Sequence, residues 1–146
     1  MEHTYALFEA QYGIMNEHQL AMGESTCAAR FWAAPPVAGG KARIEVKELS
    51  KIALERCKTA RCAIAMMGEM AEKYGYYTAD WSGGDMSEGE GGEALTVIDT
   101  EEAWVFHILS DDTGTSAVWV AQRVPDNHVS IACFLICYSV PIFVCF

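Results

Sequence analysis

The sequence predicts an α+β fold, with helices packed on an antiparallel sheet. Two observations predict it. The central stretch ELSKIALERCKTARCAIAMMGEMAEKYG repeats its apolar residues at helical spacing. The stretches that follow it alternate with the two-residue period of strands. Helices and strands are therefore segregated along the chain, as in α+β folds, rather than interleaved as in α/β folds.

The elements follow in order. Residues 5–8 (YALF) and 19–22 (QLAM) are short apolar runs and read as strands. They sit around YGIMNEHQLAMGEST (12–26), which has four polar residues in a row, Asn16 to Gln19, with Asn16 to His18 at or near the connection. A two-residue hairpin turn normally uses Asn-Gly or Asp-Gly, because its central residues need positive φ. Neither is present, so the turn is either an ordinary polar loop or a set of amides and carboxylates with a task. Residues 31–40, FWAAPPVAGG, read as a loop broken by paired prolines and glycines.

The helical segment starts near Glu48 and ends at Gly75, a suitable C-cap, with Lys73 placed to complement the helix dipole. Thr59 is a candidate N-cap, so the segment reads as one long helix or two shorter ones. Met66, Met67 and Met70 read as core packing. Residues 80–93, DWSGGDMSEGEGGE, read as a flexible Gly-rich acidic loop; its carboxylates could hold calcium but lack EF-hand spacing. Then ALTVID, AWVFHIL and AVWVAQRV predict a three-stranded meander, turning at Asp99–Glu102 and Ser110–Thr115. Pro125-Asp126-Asn127 predicts a further turn.

The 146 residues suit one domain, and about half are hydrophobic, enough for a core. The formal charge of −10 excludes nucleic acid as the main partner. All Lys and Arg except Arg123 lie between Arg30 and Lys73, and none lies from Tyr74 to Gln122. This asymmetry reads as two solvated faces of one fold or as a docking surface on the acidic half, Asp80 to Asp112. The six cysteines form no CxxC pair and read as buried reduced thiols. No signal or transit peptide is visible. The segment from 131 to 146, IACFLICYSVPIFVCF, is too short and Pro-broken for a membrane span, so membrane association is not expected. No metal or organic cofactor is expected. The four histidines are scattered, and His107 sits within a strand pattern.

Four blocks carry a resemblance: YGIMNEHQLAMGEST, TAR-AI-MGE-AEKYGYY, GEALTVIDTEEAWVFHIL and AVWVAQRVPDNHVSIA. Together, from about residue 4 to 132, they resemble the dipeptidase/secernin family of cysteine peptidases, which are N-terminal-nucleophile hydrolases similar to bile salt hydrolases and penicillin V acylases. The resemblance implies that the α+β fold is part of a four-layer αββα sandwich. It implies hydrolysis of small peptides by a cysteine that is the first residue after processing, its own α-amino group acting as base. It implies that Asn16 donates a hydrogen bond to the oxyanion and that Glu17 fixes the loop around it.

The pattern also has departures. The family nucleophile belongs upstream of the Asn-Glu block. Cys27 lies near that block but is internal and has no α-amino base; Cys57 and Cys62 read as packing residues. At 132–133 the family has Ala-Asn, where this chain has Ala132-Cys133. The expectation is a partial dipeptidase domain over 1–132 and an apolar tail outside the pattern over 133–146. That chain would be inactive alone and poorly soluble. The alternative is a non-catalytic binding or pseudoenzyme module that uses the acidic half.

Overall fold

The computed structural model describes residues 3–27, 29–78 and 91–131. These form six strands, β1 (Leu7–Glu9), β2 (Gly13–Asn16), β3 (Ala21–Cys27), β4 (Gly92–Ile98), β5 (Ala103–Ser110) and β6 (Ala117–Val124), and two helices, α1 (Val46–Arg56) and α2 (Ala60–Tyr74). The expected α+β class is what the chain adopts. All six strands form one antiparallel sheet in sequence order. Both helices lie in the connection between β3 and β4, which are nonetheless neighbours paired over seven positions from Ala21↔Ile98 to Cys27↔Gly92.

The predicted meander is present, and Thr59 divides the helical segment into two. Its hydroxyl accepts from the Cys62 N–H at 3.3 Å, and Gly75 closes α2 at φ 73°, a conformation that favours glycine. The first strands differ from the expectation of 5–8 and 19–22. The run Gly13–Asn16 is itself a strand, and the next runs on to Cys27. Gly23, Glu24 and Ser25 hid β3, whose stability comes from pairing with β4 rather than from its own propensity.

One face of the sheet carries the core. Met22, Leu95, Val97, Phe106 and Ile108 meet Leu49, Ala53, Leu54, Ala63, Ile64 and Met67 of the helices. Each large side chain fully buried there contributes roughly 1.5–3 kcal/mol. Met67 is fully buried and Met66 and Met70 pack at its edge, as the sequence implied. At Gly68 a Cβ would collide with the indole of Trp119, so the missing side chain lets α2 approach β6. Trp119 then donates from Nε1 to Glu72 Oε1 at 2.7 Å. The other face alternates with it, and Phe8, Met15, Ile98, Val118 and Val120 are exposed.

The cysteines require a correction. Cys57 and Cys62 are bonded to each other, with Cα atoms 5.6 Å apart. The break between the helices at Cys57–Thr59 brings together two residues that a continuous helix would have pointed to different sides. Most of the 80–93 loop, and the segment from 132 to 146 with Cys133, Cys137 and Cys145, lie outside the described residues.

Candidate active site

The Asn16–Gln19 stretch connects β2 to β3. The Asn16 N–H donates to Leu20 O at 3.0 Å, and Gln19 N–H donates to Asn16 O at 3.0 Å. Gln19 has φ 64°. This is a three-residue hairpin loop whose third position is left-handed, a place glycine usually takes. The Asn16 side chain makes the turn possible without glycine. Its Oδ1 accepts from the N–H groups of His18 at 3.0 Å and Leu20 at 3.2 Å, an Asx turn extended by one bond.

The other end of that amide reaches a helix. Asn16 Nδ2 donates to Leu54 O and to Cys57 O, both at 2.8 Å. The last carbonyls of a helix have no partner within it. At the end of α1, Ala53 O accepts from the Cys57 N–H and Glu55 O from the Tyr5 N–H at 3.0 Å, while Asn16 serves Leu54 and Cys57. Two carbonyls can only accept and two backbone N–H groups can only donate, so the orientation of the amide is fixed. Asn16 is buried, and all four hydrogen bonds of its side chain are internal. In this arrangement both amide hydrogens are committed to α1, and the oxyanion role expected of Asn16 needs one of them released.

Glu17 ties the turn to the chain entering β1. Its Oε1 accepts from the Ala6 N–H at 3.0 Å, and its own N–H donates to Ala6 O at 2.9 Å. His18 sets its ring edge-on to Tyr5 at 4.4 Å, and Lys58 stands 5.6 Å above the same tyrosine ring.

A second knot closes the corner from the other side. Asp99, in the β4–β5 turn, accepts from the Ala60 N–H at 2.7 Å at the start of α2, and from the Glu101 and Glu102 N–H groups at 2.8 and 2.9 Å. Burial pushes its carboxyl upward. The three N–H donors, with Arg61 nearby, outweigh that and hold it below the ordinary carboxylate range. Glu102 bridges Arg61 at 2.8 Å and Arg123 at 3.3 Å, and Arg61 lies over Trp104. Asp111 holds the β5–β6 turn. A Thr113 hydroxyl bond and the N–H groups of Thr115 and Ser116 lower its pKa. Asp99, Glu102 and Asp111 are thus used inside the fold, and Glu93 is buried beside Tyr76, whose phenol is pushed far up first by burial and then by the Glu93 charge.

The structure brings Asn16, Glu17, Cys57 and Cys62 to one corner and leaves Cys27 out of it. Cys27 ends β3, a strand-length of ~20 Å from the turn, with its Sγ 3.8 Å from its neighbour Ser25 O. Sequence reasoning missed the capping of α1 by Asn16 and of α2 by Asp99. The Asx-turn chemistry of Asn16 and of Asp99-Thr100-Glu101-Glu102 was the available signal. Among the described residues, no group of three or more His, Cys, Asp or Glu is placed to hold a metal, and no helix is long and apolar enough to cross a membrane. Compared with known proteins, residues 6–134 match the model of a family described as peptidase family C69, a match that takes in every described strand and both helices.

Proposed function

The chain belongs to peptidase family C69, and from that premise we propose that it is the catalytic-domain portion of a cysteine-type dipeptidase acting on small peptides. The observation that carries the reading is the extent of the match, from 6 to 134, across the whole described sheet. A peptidase of the cysteine type is the family's class; release of single residues from short peptides is the finer reading proposed here.

We assign the nucleophile to none of the described cysteines. Cys27 is internal and far from the Asn16 turn, and Cys57 and Cys62 are bonded to each other. In the proposed reaction a processed N-terminal cysteine attacks the peptide carbonyl and its α-amino group takes the thiol proton. Asn16 supplies one donor to the oxyanion once an amide hydrogen is released from α1, and Glu17 holds the turn in place. Residues 1–132 are proposed as the peptidase-domain portion of the chain.

The sheet is proposed to be one of two in an αββα sandwich. Two helices cover one face, while exposed Phe8, Met15, Ile98, Val118 and Val120 line the other, a face suited to a second sheet. The alternative, a binding module using the acidic half, has less support, because Asp99, Glu102 and Asp111 are engaged internally.

The test is hydrolysis of a dipeptide panel by the full-length protein, before and after thiol alkylation, with Cys27→Ser as a comparison. Alkylation-sensitive cleavage that Cys27→Ser leaves intact supports the reading. Folded full-length protein that cleaves no dipeptide overturns it.

A further inference from the structure

The disulfide and the asparagine turn meet at one carbonyl. Cys57 contributes its Sγ to the bond with Cys62 and its backbone oxygen to Asn16 Nδ2 at 2.8 Å. The two ends of the disulfide differ. Cys57 is fully buried, whereas Cys62 stands exposed in the first turn of α2. A bond that solvent thiols can reach from one side therefore fixes the corner whose carbonyl anchors the motif asparagine.

We propose that Cys57–Cys62 is a thiol-responsive latch on the Asn16 turn. With the bond closed, the α1–α2 corner is held and both Asn16 amide hydrogens stay on Leu54 O and Cys57 O. With the bond open, Lys58 and Thr59 are the covalent link left across the corner, the Cys57 carbonyl is freed to move, and Asn16 gains an amide hydrogen for another acceptor. The latch itself rests on the geometry of the corner. Its bearing on hydrolysis rests on the peptidase reading, in which that freed hydrogen faces the oxyanion.

The reductant is a dithiol. Its thiolate attacks the accessible Cys62 Sγ, the sulfur–sulfur bond breaks, and Cys57 Sγ leaves and takes up a proton. The second thiol of the reductant then displaces Cys62 from the mixed disulfide. Two electrons and two protons pass from the dithiol to the protein, and the reductant ends as a cyclic disulfide. Cys57 and Cys62 end as thiols.

The experiment is residue-resolved amide exchange on the full chain, with and without dithiothreitol, counting new thiols by alkylation and mass. The His18 and Leu20 N–H groups, both bonded to Asn16 Oδ1, report on the turn. Reduction is expected to speed their exchange about tenfold or more and to leave Val105 and Val120 of the sheet unchanged. Cys57→Ser/Cys62→Ser is expected to match the reduced protein without any dithiol. Unchanged exchange at His18 and Leu20 after two thiols appear overturns the proposal. So does equal acceleration across β5 and β6, which makes the disulfide a global staple, and so does the finding that unreduced protein already has both thiols. Dipeptide hydrolysis is measured in both states as a separate readout. An exchange response, with no hydrolysis in either state by folded full-length protein carrying a processed N-terminal cysteine, leaves the latch standing and removes the peptidase reading.

Discussion

The side-chain nitrogen of Asn16 lies 2.8 Å from the backbone oxygen of Cys57, so a residue of the β2–β3 turn completes the C-terminus of α1. That bond joins the β2–β3 end of the sheet to the helical layer across 41 residues of sequence. Its removal is accordingly a structural event before it is a catalytic one.

Asn16→Ala leaves Leu54 O and Cys57 O without their donor in a buried corner and removes the acceptor of two N–H groups. The expected loss is about 2–4 kcal/mol of stability, read from urea unfolding. Asn16→Asp sets a carboxylate against the same two carbonyls, so its loss of stability relative to the parent protein is expected to be larger at neutral pH than at pH 3. A fully stable Asn16→Ala whose only defect is a rate loss of about 100- to 1000-fold contradicts the capping role.

Gln19 is exposed yet holds φ 64°. Glycine relieves the left-handed strain at that position and loses little packing. Gln19→Gly is expected to be neutral or to gain about 0.5 kcal/mol, because the strain relieved exceeds the added unfolded-chain entropy. A thermal melt that drops by several degrees contradicts this account of the turn.

Asp99 and Asp111 have carboxyls held below the ordinary aspartate value of 3.8. A lowered folded pKa means the unfolded chain binds protons first as pH falls. The stability these groups provide is complete above the unfolded value of 3.8 and is lost as pH falls through their folded values. Asp99→Asn is expected to lower stability at pH 7 and to flatten the loss of stability below pH 4. Melts across that range check it, and an unchanged acid limb contradicts it.

Gly68→Ala drives a methyl group into the Trp119 ring. The expected cost is about 1–3 kcal/mol. Combining it with Trp119→Leu should recover part of that loss, since the indole is what the methyl meets. Additive losses in the double variant would show that the contact is not the cause.

The meander was legible because ALTVID, AWVFHIL and AVWVAQRV keep a period of two with β-branched and aromatic residues, as the hydrogen-bonded ladder needs. The helices were legible from spacing, with Thr59 and Gly75 as punctuation. β3 was not, because Gly23, Glu24 and Ser25 carry weak strand preference and gain their order from β4, more than sixty residues away. The site was half legible. Asn16-Glu17 drew attention as an unusual turn, but its partners Leu54 and Cys57 are close only in space. The disulfide was hidden for the same reason: its spacing suits a helix interior, and only the corner at Cys57–Thr59 turns the two sulfurs toward each other.

The sheet's sequential order has a consequence for how the chain reaches its fold. β1–β2, β2–β3, β4–β5 and β5–β6 are each joined by short turns, so these hairpins close early and locally. The β3–β4 ladder is different, because every residue from 28 to 91 must be gathered before Cys27 can face Gly92. Loop-closure entropy sets that join against the rest, and it is the slow, non-local step. Packing of α1 and α2 shortens the gap the ends must span, so the helical layer acts as the template on which the two halves of the sheet meet. Destabilising changes at the Met22–Val97 or Glu24–Leu95 pairs should slow folding, whereas those at the Val105–Gln122 pair should mainly hasten unfolding.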